Sequence, residues 1–406
     1  MQGSVRILIA MMLLFSFITH TLNINSANLI ESRMTVSDIF GLTAIFLFFL
    51  ERVLTKESTF AIPTLYKRAA VAIVCVSLSI VTSLSYKSTI FELLIVYYLL
   101  LLSYVMYEVY KNHIQELISI LVFTTFLVSV ICLYDFVAVN SGLMTIFPYA
   151  EKNFGGSSFR YFGQAANYSF TFLTILIPLK YSRLTHDFSV SKKRFLHITI
   201  VLAVLLLFST ARVSIILSFL ISIICFLLYT RKTNIVKDVA WLSLLMLCSM
   251  ILVLYKFPNL VSNLITRFQL RITKREEGNL ASDFIIDNFN NTFVSFFDNP
   301  LFGSGLGGFL NNYSKYEIHG TYLKMIGETG LVGLIGYLIF IFFFIKVLSK
   351  TKNTFFYFFL PFLIGSLVSW GYNYHLRKKE FWILFAFLAI VQFNSEKNKK
   401  KTVEDS

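Results

Sequence analysis

His319 and Glu328 stand nine residues apart in NPLFGSGLGGFLNNYSKYEIHGTYLKMIGETGLVGL, residues 299–334 of an otherwise apolar chain. An imidazole with an ordinary pKa of about 6.5 is suited to take a proton from a sugar hydroxyl, or to hydrogen-bond one, near neutral pH. A carboxylate can orient that imidazole or pair with an arginine. Glu328 falls where an apolar run begins, and burying a charge there is costly unless a cation or donor accompanies it. A helix N-terminus also favours a plain surface carboxylate, so both readings stay open. Ahead of these two residues, Gly303, Gly305, Gly307 and Gly308 follow Pro300 and let the backbone turn and pass close to other backbone or to a ligand. Such a turn can also offer amide N–H groups to an anion. GSGLGG matches the dinucleotide-binding spacing in form only, because no strand precedes it and no alternating strands and helices surround it.

Cations supply the other half of a site. Arg212, in FSTARVSIILSFL, is the only charge between Arg194 and Arg231, and at mid-bilayer an arginine costs about 2.5–3.5 kcal/mol on insertion scales. A tight outer turn at 209–212 avoids that cost and points the guanidinium into an outward cavity, where it can grip phosphate bidentately. Arg160, in GGSSFRYFGQAANYSF, lies close to Gly163 and Asn167. Arg267, Arg271 and Arg275, in RFQLRITKR, are spaced by fours, so neighbours share a face if the segment is helical. Arginines at these places, converging on one histidine, are what a lipid-linked pyrophosphate would need.

The elements that position these residues are membrane helices. The 406 residues are 56% hydrophobic and 14% charged, with mean hydropathy +0.70, values that a water-soluble core of this size could not hide from solvent. Apolar runs long enough to cross a bilayer as helix recur throughout, and alternating strand patterns do not. The expected fold is an all-α integral membrane protein, a single polytopic domain over 1–406. About twelve spans are expected, near 5–23, 36–53, 69–86, 89–109, 115–138, 166–182, 195–211, 212–229, 239–256, 328–348, 354–371 and 380–395. The first run lacks a small-residue cleavage site and reads as an anchor. Basic residues collect at 52–68, 180–194, 231–237, 346–352 and 397–401, which places both termini in the cytoplasm. The net charge of +14 then reads as a topology signal with affinity for anionic lipid, and nucleic acid is not an expected partner. Two outer loops are long, 139–165 and 257–327, and DFIIDNFNNTFVSFF in the second reads as a packed amphipathic element at the membrane surface. The four cysteines lie within expected spans without metal-ligand or redox spacing, so neither a disulfide nor a metal site is expected. No internal repeat is visible.

With these features the sequence resembles the superfamily of bacterial O-antigen ligases and O-antigen polymerases of the Wzy type. The carrying residues are Arg160, Gly163 and Asn167, the STAR turn at 209–212, and NPLFGSGLGGF followed by HGTYLKMIGETGLVGL. The resemblance implies a metal-independent, inverting glycosyltransferase of the inner membrane that needs no cofactor. Its active face would be periplasmic and its donor an undecaprenyl-pyrophosphate-linked oligosaccharide. In that picture Arg212 and one of Arg267, Arg271 and Arg275 bind the pyrophosphate, Arg160 assists, and His319 activates or positions the acceptor hydroxyl. Two departures stand out: Gly320 follows the histidine where the family commonly has asparagine, and ASDF with Asp283 stands where an arginine is often found. The expected function is an O-antigen or related polysaccharide polymerase. A ligase transferring glycan to lipid A-core is the alternative within the same chemistry. Membrane lipid, a chain-length regulator and a flippase are the expected partners. A lipid-linked oligosaccharide flippase is the alternative of another class, but its charges should line a path deep within the helices, whereas these cluster at outer ends; Asp135 is the clearest charge inside a span.

Overall fold

The computed structural model describes residues 2–16, 35–55, 62–141, 143–146, 163–210, 213–230, 281–310, 312–314, 317–351 and 353–404, with 236–237, 240 and 255. Among them are twelve α-helices and no strand: α1 (Gln2–Phe15), α2 (Val36–Leu54), α3 (Thr64–Ser77), α4 (Tyr86–Tyr110), α5 (Ile114–Ser141), α6 (Gly163–Tyr181), α7 (Val190–Thr210), α8 (Val213–Thr230), α9 (Ala281–Asp298), α10 (Thr321–Lys350), α11 (Thr354–Tyr372) and α12 (Lys379–Glu404). Tyr86–Tyr110, Ile114–Ala138, Thr321–Lys350 and Thr354–Tyr372 are long and apolar enough to cross a membrane, and Gly3–Phe15 and Ser214–Thr230 are shorter apolar helices. The described residues are thus all-helical, with helices long and apolar enough for a membrane protein. Of the expected span at 239–256, only Ala240 and Tyr255 are among the described residues.

The chain forms two compact units. The first comprises Met1–Leu121, Asp287–Tyr357 and Trp370–Ser406. Within it α1 packs on α2, α3 on α10, and α4 on α2 and α12. Small residues let α3 and α10 approach closely: a Cβ on Gly336 would lie 2.6 Å from the Cβ of Cys75. Tyr66 centres an aromatic cluster with Tyr104, Tyr107 and Phe385, and its hydroxyl, buried in that cluster, donates to the Ser103 carbonyl at 2.9 Å. Helix α3 stops at Ser77, well short of residue 86, where the span was expected to end. The run SLSIVTSLS that follows offers the backbone local side-chain partners, and the Ser85 amide donates to Ser83 Oγ at 3.2 Å.

Helix α4, 25 residues long and hence about 37 Å at 1.5 Å per residue, separates two polar ends of this unit. Near Tyr110, Arg6 pairs with Glu116 at 2.7 Å, Glu108 takes Arg52 and Lys111 at 2.7 and 2.9 Å, and Asn394 Nδ2 donates to the Lys111 carbonyl. Near Tyr86, the turn after α3 meets residues 303–307 and Arg377 reaches Glu92. Lys379 also reaches Asp38 at 2.7 Å, in the Thr35–Asp38 capping box that starts α2.

The second unit comprises Val122–Ile286 and Phe358–Ser369. There α6 packs on α7 and α8, and Phe226 lies against Tyr181, Phe358 and Phe362. The Asp135 carboxylate, buried, accepts the Ile146 amide at 2.7 Å. Together with the bond from Leu143 N–H to the Ala138 carbonyl, this folds the chain back on α5.

Candidate functional site

Helix α10 is two helices joined at a break. Gly330 has φ 62° and ψ −163°, a conformation open essentially to glycine alone. Interrupting a helix orphans the carbonyls before the break and the amides after it, and the 300–307 strap supplies their partners. The Leu331 and Val332 amides donate to the carbonyls of Pro300 and Leu301 at 2.9 and 3.1 Å. In return the amides of Ser304 and Gly305 donate to the carbonyls of Gly327 and Glu328 at 3.2 and 3.0 Å, and Ser295 Oγ donates to the Gly327 carbonyl at 2.9 Å. The strap therefore passes backbone to backbone across the break. A Cβ on Gly303, where φ is 69°, would lie 2.6 Å from the Glu328 oxygen and the Thr329 nitrogen. The turn after α3 and the start of α4 hold the strap from its other side: Thr82 Oγ1 donates to the Gly303 carbonyl at 2.6 Å, the Leu84 amide to the Ser304 carbonyl at 3.0 Å, and Ser88 Oγ of α4 to the Gly307 carbonyl at 3.2 Å.

Glu328 sits at the break and is not a surface carboxylate. It is fully buried, its Oε2 accepts the Gly307 amide at 2.6 Å and lies 3.3 Å from the ammonium of Lys324, itself buried. The anion held by the glycine turn is thus the protein's own side chain, and its cation is a lysine one helical turn earlier. The Lys324 ammonium also lies 4.7 Å from the centroid of the Tyr374 ring, a cation–π contact that offsets part of its desolvation.

His319 is exposed, two residues before α10 begins. The short segment that carries it is held at three points by residues 371–377. Arg377 pairs with Glu317 at 3.0 and 3.4 Å and with Glu92 of α4 at 2.7 Å. Gly320 meets the backbone carbonyl of Gly371, where any Cβ would collide, which accounts physically for glycine after the histidine. Thr321 Oγ1 donates to the Asn373 carbonyl at 2.7 Å and accepts the His375 amide at 3.1 Å.

The same hydroxyl lies 2.8 Å from His375 Nδ1, while Nε2 faces the Tyr337 hydroxyl at 3.3 Å. With the Thr321 proton committed to Asn373, the arrangement fits a neutral ring protonated at Nδ1. Burial drives the pKa of this ring well below the usual histidine range, and Trp370 stacks on it at 4.1 Å.

Helix α9 delivers the chain to the strap with an inverted polarity. Asn288, Thr292 and Ser295 are buried, while Phe289, Val294 and Phe297 are exposed. The buried polar side chains are satisfied: Thr292 Oγ1 donates to the Asn288 carbonyl, and Asn288 Oδ1 accepts from Ser314 Oγ at 3.0 Å.

Of the residues singled out in the sequence, His319, Glu328, Gly303, Gly305 and Gly308 come together at this end of the first unit. Arg160, Arg212, Arg267, Arg271 and Arg275 lie outside the described residues. Sequence reasoning missed Glu92, Glu317, Lys324 and Arg377. The signal for Arg377 was present, since it is a cation in an expected outer loop, where the charge rule does not require one. Residues 197–338, from within α7 to within α10, match the family model described as O-antigen ligase. No match was found among curated proteins.

Proposed function

We propose, from the match of residues 197–338 to the family model described as O-antigen ligase, that the protein belongs to the ligase and polymerase superfamily of membrane glycosyltransferases and polymerises O-antigen or a related surface polysaccharide. The family match is the observation that carries this reading, because it covers residues 209–212, the strap and His319 together. A hydroxyl of the acceptor unit attacks the anomeric carbon of a repeat unit borne on undecaprenyl pyrophosphate. The bond from that carbon to the pyrophosphate oxygen breaks on the opposite face, so the configuration inverts. His319, exposed two residues before α10, takes the hydroxyl proton. Arg212, Arg160 and one of Arg267, Arg271 and Arg275 hold the departing pyrophosphate. No metal, cofactor or nucleotide sugar takes part.

In this reading the protein has about twelve spans in the bacterial inner membrane, with both termini cytoplasmic. The 299–320 and 371–377 segments face the periplasm, alongside a flippase and a chain-length regulator. The ion pairs of Arg6 and Arg52 support it, since they lie near Tyr110, at the far end of α4 from the strap.

The description of the family model favours a second reading, transfer of the finished glycan to lipid A-core. Reconstituting the full chain with a polyprenyl-pyrophosphate repeat unit, with and without lipid A-core, separates them. Chain growth without lipid A-core is the expected result. Transfer only when the core is present establishes a ligase, and no product with either acceptor overturns both readings in favour of transport.

A further inference from the structure

The Arg377 guanidinium bridges Glu92 of α4 and Glu317 of the His319 segment, at 2.7 and 3.0 Å. Glu92 belongs to α4, buried on its first turns, and Glu317 precedes α10. Without a cation between them these two carboxylates would repel; Arg377 Nη1 donates to both, and Nη2 adds a second bond to Glu317. Glu317 lies two residues before His319, and Gly320 and Thr321 follow it directly. All three anchors grip the same 371–377 segment.

Resting on the reading of His319 as the base that activates the acceptor, we propose that Arg377 is its positioning residue: by holding Glu92 and Glu317 in one grip it fixes the backbone from which His319 meets the sugar hydroxyl. The geometry separates this role from folding. Loss of Arg377 removes its bonds to Glu317 and Glu92 at one end of the segment. The Thr321, Asn373 and His375 anchor on the other side stays in place. His319 is then displaced while α10 and its break remain, and a misplacement of about 1 Å is enough to cost a rate about 100-fold.

The test uses the full chain reconstituted in lipid vesicles, comparing wild type with R377A, R377K and E317Q. Glycan transfer is measured together with the rate at which diethyl pyrocarbonate acylates His319, with buried His375 as the internal reference. In R377A, kcat is expected to fall at least about tenfold with KM little changed. His375 stays protected and the acylation rate of His319 changes. R377K, which keeps the charge and loses the fork, falls between R377A and wild type. Guanidinium ion restores part of the R377A rate and none of the His319→Ala rate. Transfer and His319 acylation both unchanged in R377A would overturn the proposal. Should R377A expose His375, E317Q decides by the same two readouts. Should wild type transfer no glycan, the catalytic reading of His319 fails and Arg377 loses its proposed role with it; the acylation rates then show only whether Arg377 fixes the segment.

Discussion

The two ends of α4 use the same interaction for different purposes. Near Tyr110 the ion pair of Arg6 and Glu116 leaves the side chains 24% and 43% exposed, while Glu108 bridges Arg52 and Lys111 between helix ends. Near Tyr86 the pair of Lys324 and Glu328 leaves each side chain 1% exposed, and it is built into a broken helix with a glycine strap across the break. Exposed pairs contribute little and are easily lost, whereas removing one partner of a buried pair strands a charge. The proposed function places the chemistry at this second end, where His319 is exposed.

Substitutions should separate the two ends by size of effect. Gly330→Ala meets the strap backbone, with its Cβ 2.6 Å from the Leu301 carbonyl, in a conformation that excludes side chains. It should cost about 3 kcal/mol or more in SDS-induced unfolding of the purified protein; a loss of less than about 1 kcal/mol would mean the strap does not need to pass that closely. Next is Glu328→Ala, which strands Lys324 and the Gly307 amide and should cost about 3 kcal/mol in the same measurement. Glu328→Gln keeps an acceptor for Gly307 and should lose less, and adding Lys324→Met should recover part of that loss.

Acidity gives a smaller and graded contrast. Burial holds the folded pKa of His375 well below the ordinary histidine range, so between the two values the unfolded chain binds a proton that the folded chain refuses. The contribution of this group to stability is full above about pH 6.5 and declines as pH falls below it, by up to about 1.4 kcal/mol per unit. Unfolding measured from pH 7.5 to 5.5 should show this slope in wild type and lose that part of it in His375→Asn. Smallest of all, Arg6→Ala at the other end should change stability by no more than about 1 kcal/mol; a loss as large as that of Glu328→Ala would erase the contrast between the ends.

Much of the fold was legible because hydrophobic run length is a one-dimensional signal. Eleven of the twelve expected spans overlap described helices, and DFIIDNFNNTFVSFF is helical as its periodicity implied. The early stop of α3 was harder to read, since SLSIVTSLS is apolar enough to continue a span while its hydroxyls favour a turn. The glycines of 303–308 were legible as a place of close approach, but not what they approach. The break at Gly330 lies inside an apolar helical pattern, and a single glycine there is usually tolerated without interruption. Glu328 showed the same limit: its type predicted a need for a partner, and only the fold identifies Lys324 and the Gly307 amide. Arg377, Glu92 and Glu317 meet across 285 and 60 residues of sequence, separations that no local spacing encodes.

The measurement that bears most directly on the central claim is the initial rate of glycan transfer by His319→Ala, in protein shown by its protected His375 to be folded. If the end of α4 near Tyr86 is the working end and His319 its base, the rate should fall by about 100-fold or more. A rate within about twofold of wild type would contradict that claim.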